Sequence, residues 1–321
     1  MAKTERLELI KELQEKRKSK VILFILGDRQ PIQIFGTVIA LDSVSLLQKI
    51  LRREEKLKRI SIVIHSTGGD INTPWPFMNS LREFTDDLEM IVPRRALSAA
   101  TLMCLGSERI VMSPFSHLSA VDPQGQFRTS EGKIEEIAIE DIVGFIEFSK
   151  TKIGLKDKVG KIEILKALQK IDAKVLGSIN RTHSLIRKLS SGLLRLRKTN
   201  KLTETEIEKI VTNLTEKTYS HTHFIGRTEA KQDIGFGPMI EFADKETFEI
   251  MEKIFDQIES DLQLSEPFNV QEELEKVAPN PAKISAVRCI MQSEKMNFEG
   301  KSDVTILPNG QVQAPFKWDV V

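Results

Sequence analysis

Four short apolar runs separated by helical patterns limit the fold more than any other feature of this sequence. The runs occupy residues 21–26, 60–64, 88–92 and 109–112, and the second is rich in β-branched residues. Compact runs of this kind are typical of strands that are buried on both faces of a parallel sheet. Helical patterns begin at Asp42, after the "HSTGG" that ends the second run, and at Ser98. The alternation predicts an α/β fold with a mostly parallel sheet.

The pattern changes after Gln124. Residues 125–160 carry many charges and five glycines, and a long helical pattern then covers 168–193. Shorter amphipathic helices are predicted at 203–218 and 245–264, and Asn309-Gly310 predicts a hairpin between two short strands. We therefore predict an N-terminal helix (1–20), a main domain (21–240) with a helical insertion near 125–200, and a C-terminal helix and hairpin extension (241–321).

Composition excludes several classes of protein. The 321 residues are 40% hydrophobic and 29% charged with a net charge of +1, which argues against a nucleic-acid-binding surface or an acidic tail. No apolar stretch approaches the roughly 18 residues of a membrane span, and the N-terminus has no apolar signal-peptide region. Cys104 and Cys289 lie far apart in apolar runs, which favours buried free thiols in a reducing compartment. We expect a cytoplasmic protein without a metal or nucleotide cofactor.

Two loops stand at the carboxyl ends of predicted neighbouring strands, where α/β sheets bind ligands. The first is "STGGD" (66–70), whose paired glycines allow backbone N–H groups to approach a ligand. The second brings Ser98 to a helix N-terminus, where unpaired N–H groups favour negative charge. Together they suggest an oxyanion hole for acyl transfer. Two other interpretations stay open, because serine is a common N-cap and "TGG" also occurs in phosphate loops.

Longer segments resemble a known family. "IVIHSTGGDI" and "IVPRRALSAATLMCLGSERIVMSPFSHLSAVDPQ" are similar to the serine dehydrogenase proteinases, Clp-fold serine peptidases. The segment "THFIGRTEAKQDIGF" and the tail around Pro308 and Trp318 resemble later parts of that family. The resemblance implies a Clp/crotonase-like fold, a mostly parallel sheet flanked by helices. "STGG" replaces the usual Thr-Pro-Gly-Gly, and Ala100 replaces a usual glycine.

The resemblance also implies roles for individual residues. Ser98 would be the nucleophile, and the backbone N–H groups of Gly68 and Ala99 would form the oxyanion hole. Gly69 and Asp122 would contact the substrate, a peptide or protein. Such folds usually assemble as trimers or hexameric rings, so a homo-oligomer is expected.

The proton acceptor is less obvious from the sequence. The Clp proteolytic subunit uses a histidine, but Val121 or Asp122 falls at that position here. His117 comes several residues too early, and His221 and His223 are interpreted as polar rim residues. Related proteases use a lysine, which can act as a base when burial lowers its pKa. Lys174 is the first candidate, because it flanks the apolar face of the long helical pattern, and Lys133 is the second.

These inferences predict a cytoplasmic serine peptidase of the Ser–Lys type that acts through an acyl-enzyme. A second reading is a catalytically weak Clp-fold protein that binds peptides or scaffolds a complex. A third is a crotonase-like acyl-CoA enzyme, which uses backbone oxyanion donors without a nucleophilic serine. Labelling by a fluorophosphonate probe would separate the first reading from the second, and CoA binding would support the third.

Overall fold

The computed structural model describes residues 2–121, 124–128, 134–169, 171–199, 201–217, 223–277 and 279–321. The helices are α1 (Ala2–Arg17), α2 (Ile32–Phe35), α3 (Asp42–Leu51), α4 (Pro74–Arg82), α5 (Ala99–Leu105), α6 (Ile139–Thr151), α7 (Lys158–Leu168), α8 (Ala173–Leu194), α9 (Glu204–Glu216), α10 (Arg227–Glu229), α11 (Lys245–Leu262) and α12 (Val270–Val277). A π-helical turn (Ala230–Ile234) and a 3-10 turn (Gly237–Met239) follow α10.

The strands are β1 (Lys20–Leu26), β2 (Ile60–His65), β3 (Leu88–Val92), β4 (Arg95–Ala96), β5 (Arg109–Met112), β6 (His117–Ser119), β7 (Gln124–Arg128), β8 (Ile134–Ala138), β9 (Phe224–Gly226), β10 (Ile240–Phe242), β11 (Ala282–Ser293), β12 (Asn297–Ile306), β13 (Val312–Gln313) and β14 (Phe316–Val320). The four apolar runs of the sequence thus correspond to β1, β2, β3 and β5.

A nine-stranded sheet forms the centre of the fold, in the order β10-β5-β3-β2-β1-β11-β12-β13, with β14 also paired to β12. The five strands from β10 to β1 run parallel to their neighbours. From β11 onward the pairing is antiparallel. The predicted α/β architecture with a largely parallel sheet is therefore confirmed.

Alternate side chains of β1 point to two different apolar cores. Ile22, Phe24 and Leu26 pack with buried residues of α3, α4, α5, α8 and α9 on one face. On the other face, residues 21, 23 and 25 pack with buried residues of α1 and α11. The sheet is covered on both faces, which explains why its parallel strands are continuously apolar.

The C-terminal segment contributes to this sheet. Strand β11 pairs with β1, in a register that places Ile25 opposite Ile290. The predicted hairpin joins β12 and β13, with Gly310 at a positive φ of 81° between them. Positive φ favours glycine at such a turn. The segment predicted as an extension, 241–321, therefore supplies strands and a covering helix to the main sheet.

A second, smaller sheet lies at the carboxyl end of the parallel strands. Its order is β4-β6-β9, with Arg95 opposite His117 and Ser119 opposite Phe224. The bridge between Ser66 and Ala96 connects β4 to the loop that follows β2. This small sheet therefore links the two loops that the sequence singled out.

Candidate active site

Ser98 lies in a strained turn between β4 and α5. Its φ of 50° and ψ of −116° lie outside the regions that non-glycine residues favour. Its side chain makes no hydrogen bond to the helix, so Ser98 does not act as a side-chain N-cap. Strain of this kind persists only where the surroundings enforce it, and it concentrates at functional sites. The half-buried hydroxyl is thus free of a capping role.

Two hydroxyl side chains hold this turn. The backbone N–H of Ser98 donates to Oγ of Ser119, at 2.8 Å. Oγ1 of Thr101 accepts the backbone N–H of Ser119 at 3.1 Å and donates to the carbonyl of Ala96 at 2.7 Å. Ser119 and Thr101 are almost fully buried, so water does not compete for these bonds. Sequence reasoning missed both residues, because a buried Ser or Thr carries no motif that identifies its partner.

Gly68 lies directly against Ser98. A Cβ at residue 68 would come within 2.8 Å of the Ser98 Cβ and 3.0 Å of the Leu97 carbonyl, and its φ is +113°. Gly69, at a φ of +149°, lies against the backbone of Ile39. Both positions therefore need glycine, as the sequence predicted for a backbone that approaches closely. The structure brings Gly68, Ser98 and Ala99 together.

The two predicted oxyanion donors differ in their present partners. The N–H of Gly68 donates to Oγ of Ser66, at 3.0 Å. Ala99 is the first residue of α5, and the N–H of a first helical residue has no acceptor within the helix. The Ala99 N–H therefore has no acceptor within α5, whereas the Gly68 N–H already donates to a side chain.

A polar cluster of Asp28, the buried His65 and the partly exposed Arg95 lies at the same end of the sheet. Asp28, just after β1, lies 3.5 Å from Nε2 of His65 and 3.1 Å from Nη1 of Arg95. The first distance is too long for a good hydrogen bond, and both ring nitrogens of His65 lack a well-formed one among the described residues. The ring also packs beside Phe255 of α11, with 5.3 Å between centroids. Asp28 thus connects β1, β2 and β4 below the Ser98 turn.

Burial and neighbouring charges set the protonation of this cluster. Burial lowers the pKa of His65, more strongly than Asp28 raises it, so the imidazole is neutral near pH 7. For Asp28, burial acts to raise the pKa, but interactions with His65 and Arg95 outweigh burial and the pKa is lowered. Because His65 is neutral, Arg95 is the cation that keeps this carboxylate ionised.

The histidines near Ser98 occupy different positions. His117 belongs to β6, and its ring stands 5.5 Å from that of Phe224. His223 immediately precedes β9, whose first residue, Phe224, lies opposite Ser119. Its Nε2 is 2.7 Å from a carboxylate oxygen of Glu229. His223 therefore has an orienting carboxylate and lies at the end of the strand pair that contains Ser119.

Lys174 lies elsewhere on the surface. It is exposed in the first turn of α8, where its backbone N–H donates to the Asp172 side chain at 2.6 Å. No hydrogen bond or ion pair in the described part of the chain connects its ammonium group to the Ser98 turn. Asp122 and Lys133 fall outside the described residues, as does His221.

Comparison with known proteins gives this site a family context. The model for ClpP-like SDH-type serine proteinases matches residues 1–137, a range that includes the glycine loop and Ser98. The resemblance seen in the sequence is confirmed over that range. The match covers less than half of the chain and does not identify a proton acceptor for Ser98.

Individual relatives match over shorter parts. An uncharacterized protein of Methanocaldococcus jannaschii is 30% identical over 186 residues, which cover 52% of this chain and 64% of the relative. A second uncharacterized protein of that organism is 28% identical over 177 residues, or 48% of this chain and 59% of the relative. The chain thus spans less than two thirds of either relative. A ClpP1 mutant from Listeria monocytogenes is similar over 73% of this chain and 99% of its own, with 15% identity and a TM-score of 0.37.

Proposed function

We propose that this chain, whose first 137 residues match the ClpP-like SDH-type serine proteinases, cleaves peptide bonds with Ser98 as its nucleophile. The observation that carries the proposal is the strained Ser98 turn, held by Ser119 and pressed against Gly68. A strained turn that presents an uncapped hydroxyl beside backbone donors is suited to acyl transfer.

The reaction would proceed in two steps. Oγ of Ser98 attacks the peptide carbonyl carbon while a base takes the hydroxyl proton, and the carbonyl oxygen becomes an oxyanion. The C–N bond then breaks, and the base returns its proton to the leaving amine. Water next attacks the Ser98 ester, giving the free acid and restoring the hydroxyl.

The oxyanion would be stabilised by the N–H groups of Ala99 and Gly68. The Ala99 donor sits at a helix N-terminus, where the helix dipole also favours negative charge. The Gly68 donor must exchange its bond to Ser66 Oγ for one to the substrate, or share its hydrogen between them. Substrate binding would then include a small rearrangement of the glycine loop, in which Gly69 is exposed and available to the peptide backbone.

Two residues are proposed as alternative proton acceptors. Lys174 follows from the sequence, and it would need to become desolvated beside Ser98, since its side chain is exposed. His223 follows from the structure, because it lies next to the β6–β9 pair and carries Glu229 as an orienting carboxylate. An imidazole held by a carboxylate is a common base for serine nucleophiles. His223 is exposed, as Lys174 is, and its carboxylate partner Glu229 makes it the better candidate for the base, with Asp122 retained as a substrate contact.

A second function is favoured by one observation. The bond from the Gly68 N–H to Ser66 Oγ occupies a predicted oxyanion donor, as expected of a protein that binds peptides without cleaving them. In such a protein the Gly68 N–H would stay bonded to Ser66 Oγ when a peptide is bound.

Active-site labelling distinguishes the two functions. The full chain is incubated with a fluorophosphonate probe, and the modified residue is located by peptide mass spectrometry. A peptidase labels at Ser98, and the Ser98→Ala variant does not label. Absence of labelling in the folded wild-type chain contradicts the peptidase proposal and favours peptide binding alone.

Assembly and location complete the proposal. We propose a homo-oligomer, by similarity to the family, which size-exclusion chromatography with light scattering tests. We also propose a reducing cytoplasmic location, supported by the free, buried thiols of Cys104 and Cys289.

A further inference from the structure

Helices α6 and α7 expose an unusual number of large apolar side chains. Phe148, Ile153, Val159 and Leu165 are between 55% and 64% exposed, and Val143 and Ile162 are 47% and 45% exposed. Isolated exposed apolar residues are ordinary, but a group of this size on two consecutive helices and the loop between them, where Ile153 lies, marks a binding surface. We call the exposed side of residues 141–168 the α6–α7 surface.

The pattern on α7 separates an inner side from an outer one. Gly160 and Ile164 are buried, so one side of the helix packs against the protein. Val159, Ile162 and Leu165 recur every three residues on the exposed side and form an apolar stripe. The stripe is therefore a regular feature of the helix that remains after its inner side has been packed.

The α6–α7 surface carries more positive than negative charge. Residues 141–168 contain six lysines, no arginine and four acidic residues, an excess of two positive charges. All six lysines are exposed. Of the four acids, Asp157 caps the N-terminus of α7 through the Gly160 N–H, and Glu163 pairs with Lys166. The surface therefore favours an anionic partner, in a chain whose overall net charge is only +1.

The type of positive residue distinguishes a membrane from a protein partner. Protein interfaces are enriched in arginine and depleted in lysine. Helices that lie on membranes combine polar sides rich in lysine or arginine with Trp, Phe and Leu on the apolar side. Lysines near a bilayer are attracted by the negative potential of acidic headgroups. Six lysines without an arginine, beside exposed Phe148 and Leu165, match the membrane pattern.

We propose that the α6–α7 surface binds the face of a bilayer that contains anionic phospholipids. The apolar stripe enters the region between headgroups and acyl chains, and the lysines contact the headgroups. Binding is peripheral, because no helix among the described residues is long and apolar enough to cross a membrane. The proposal concerns location and does not depend on peptidase activity.

Vesicle co-sedimentation of the full chain tests this proposal. We expect binding to vesicles of phosphatidylcholine with about 30 mol% phosphatidylglycerol, and at least about tenfold weaker binding to phosphatidylcholine alone. Binding should weaken as salt rises from about 0.1 to about 0.5 M. Equal binding to both vesicles, or to neither, overturns the proposal.

A matched pair of variants locates the surface. The double variant Ile162→Glu/Leu165→Glu should bind anionic vesicles at least about tenfold more weakly, because carboxylates replace apolar groups at the lipid boundary. Val312→Glu/Val320→Glu makes the same charge change at exposed apolar positions of β13 and β14, and should bind like the wild type. Far-UV circular dichroism verifies the fold of both variants.

Two outcomes of the variants contradict the proposal. If the α7 double variant binds as the wild type does, another surface makes the contact. If the wild type does not bind vesicles and light scattering shows that the α7 double variant dissociates an oligomer of the wild type, the α6–α7 surface joins copies of this chain.

Discussion

The Ser98 turn and the α6–α7 surface differ in how their residues are constrained. At the turn, buried hydroxyl groups fix each backbone position, and glycine is required where the chains come closest. On the α6–α7 surface, large side chains face outward from helices whose inner sides alone are packed. Because the backbone positions at the Ser98 turn are fixed, adding or removing a few side-chain atoms there should change activity strongly. Because binding by the α6–α7 surface depends on its total apolar area and charge, it should change gradually as residues are substituted.

The largest effect is expected for Ser98→Ala. Removing the nucleophile should lower peptide hydrolysis by at least about a thousandfold, because the acyl-enzyme cannot form. Stability should change by less than about 0.5 kcal/mol, since the side chain makes no capping bond that would be lost. Hydrolysis of a casein substrate and urea unfolding measure the two quantities. Unchanged hydrolysis would assign the activity to another residue.

The proton acceptor is the next test. If His223 is the base, His223→Ala should lower turnover by about a hundredfold or more and leave KM largely unchanged. In that case Lys174→Ala should have little effect on turnover. If Lys174 is the base, the two results are reversed, and Lys174→Arg is as inactive as the alanine variant because arginine does not release a proton.

A third outcome is that His223→Ala and Lys174→Ala both keep their activity. It would show that the proton passes to another residue, such as Lys133, which lies outside the described residues. The comparison of both variants with Ser98→Ala, measured in the same assay, makes this outcome recognisable.

A glycine substitution tests the close approach at the turn. In Gly68→Ala the new methyl would lie within 2.8 Å of the Ser98 Cβ, at a φ that alanine rarely adopts. We expect a loss of about a hundredfold in turnover from displacement of the nucleophile and its oxyanion donor. Gly177→Ala is the matched control, because nothing lies within 4 Å of a Cβ there and the residue is inside α8. Equal activity of both variants would place the oxyanion hole elsewhere.

The sequence predicted those features that depend on local pattern. The strands β1, β2, β3 and β5 follow from apolar runs, and the turn at Gly310 follows from Asn309-Gly310. Gly68 and Ser98 were found because a glycine pair and a small-residue helix follow strands in a parallel sheet.

Features that depend on distant segments could not be predicted in this way. Ser119 reaches the N–H of Ser98 from 21 residues away, and β11 meets β1 across most of the chain. His223 comes close to the Ser119–Phe224 pair only through the β6–β9 pairing, and the three-residue strand β9 gives no sequence signal of register. Side chains whose roles depend on such pairings look like ordinary polar residues in the sequence.

The smallest expected effect is on stability, and it concerns the cluster of Asp28, His65 and Arg95. It tests whether this cluster helps to stabilise the end of the sheet that carries the Ser98 turn. The pKa of His65 is lowered by burial, so at pH values below its ordinary value of about 6.5 the unfolded chain binds a proton that the folded chain does not. Stability should therefore fall as the pH decreases from 6.5, by about 1 kcal/mol for the first pH unit. His65→Gln removes this dependence, whereas His183, whose pKa burial also lowers, contributes a residual slope of the same sign. Urea unfolding at pH 7 and at about 5.5 measures the difference. An identical slope in wild type and His65→Gln would mean that His65 binds protons equally in the folded and the unfolded chain, which contradicts a pKa lowered by burial.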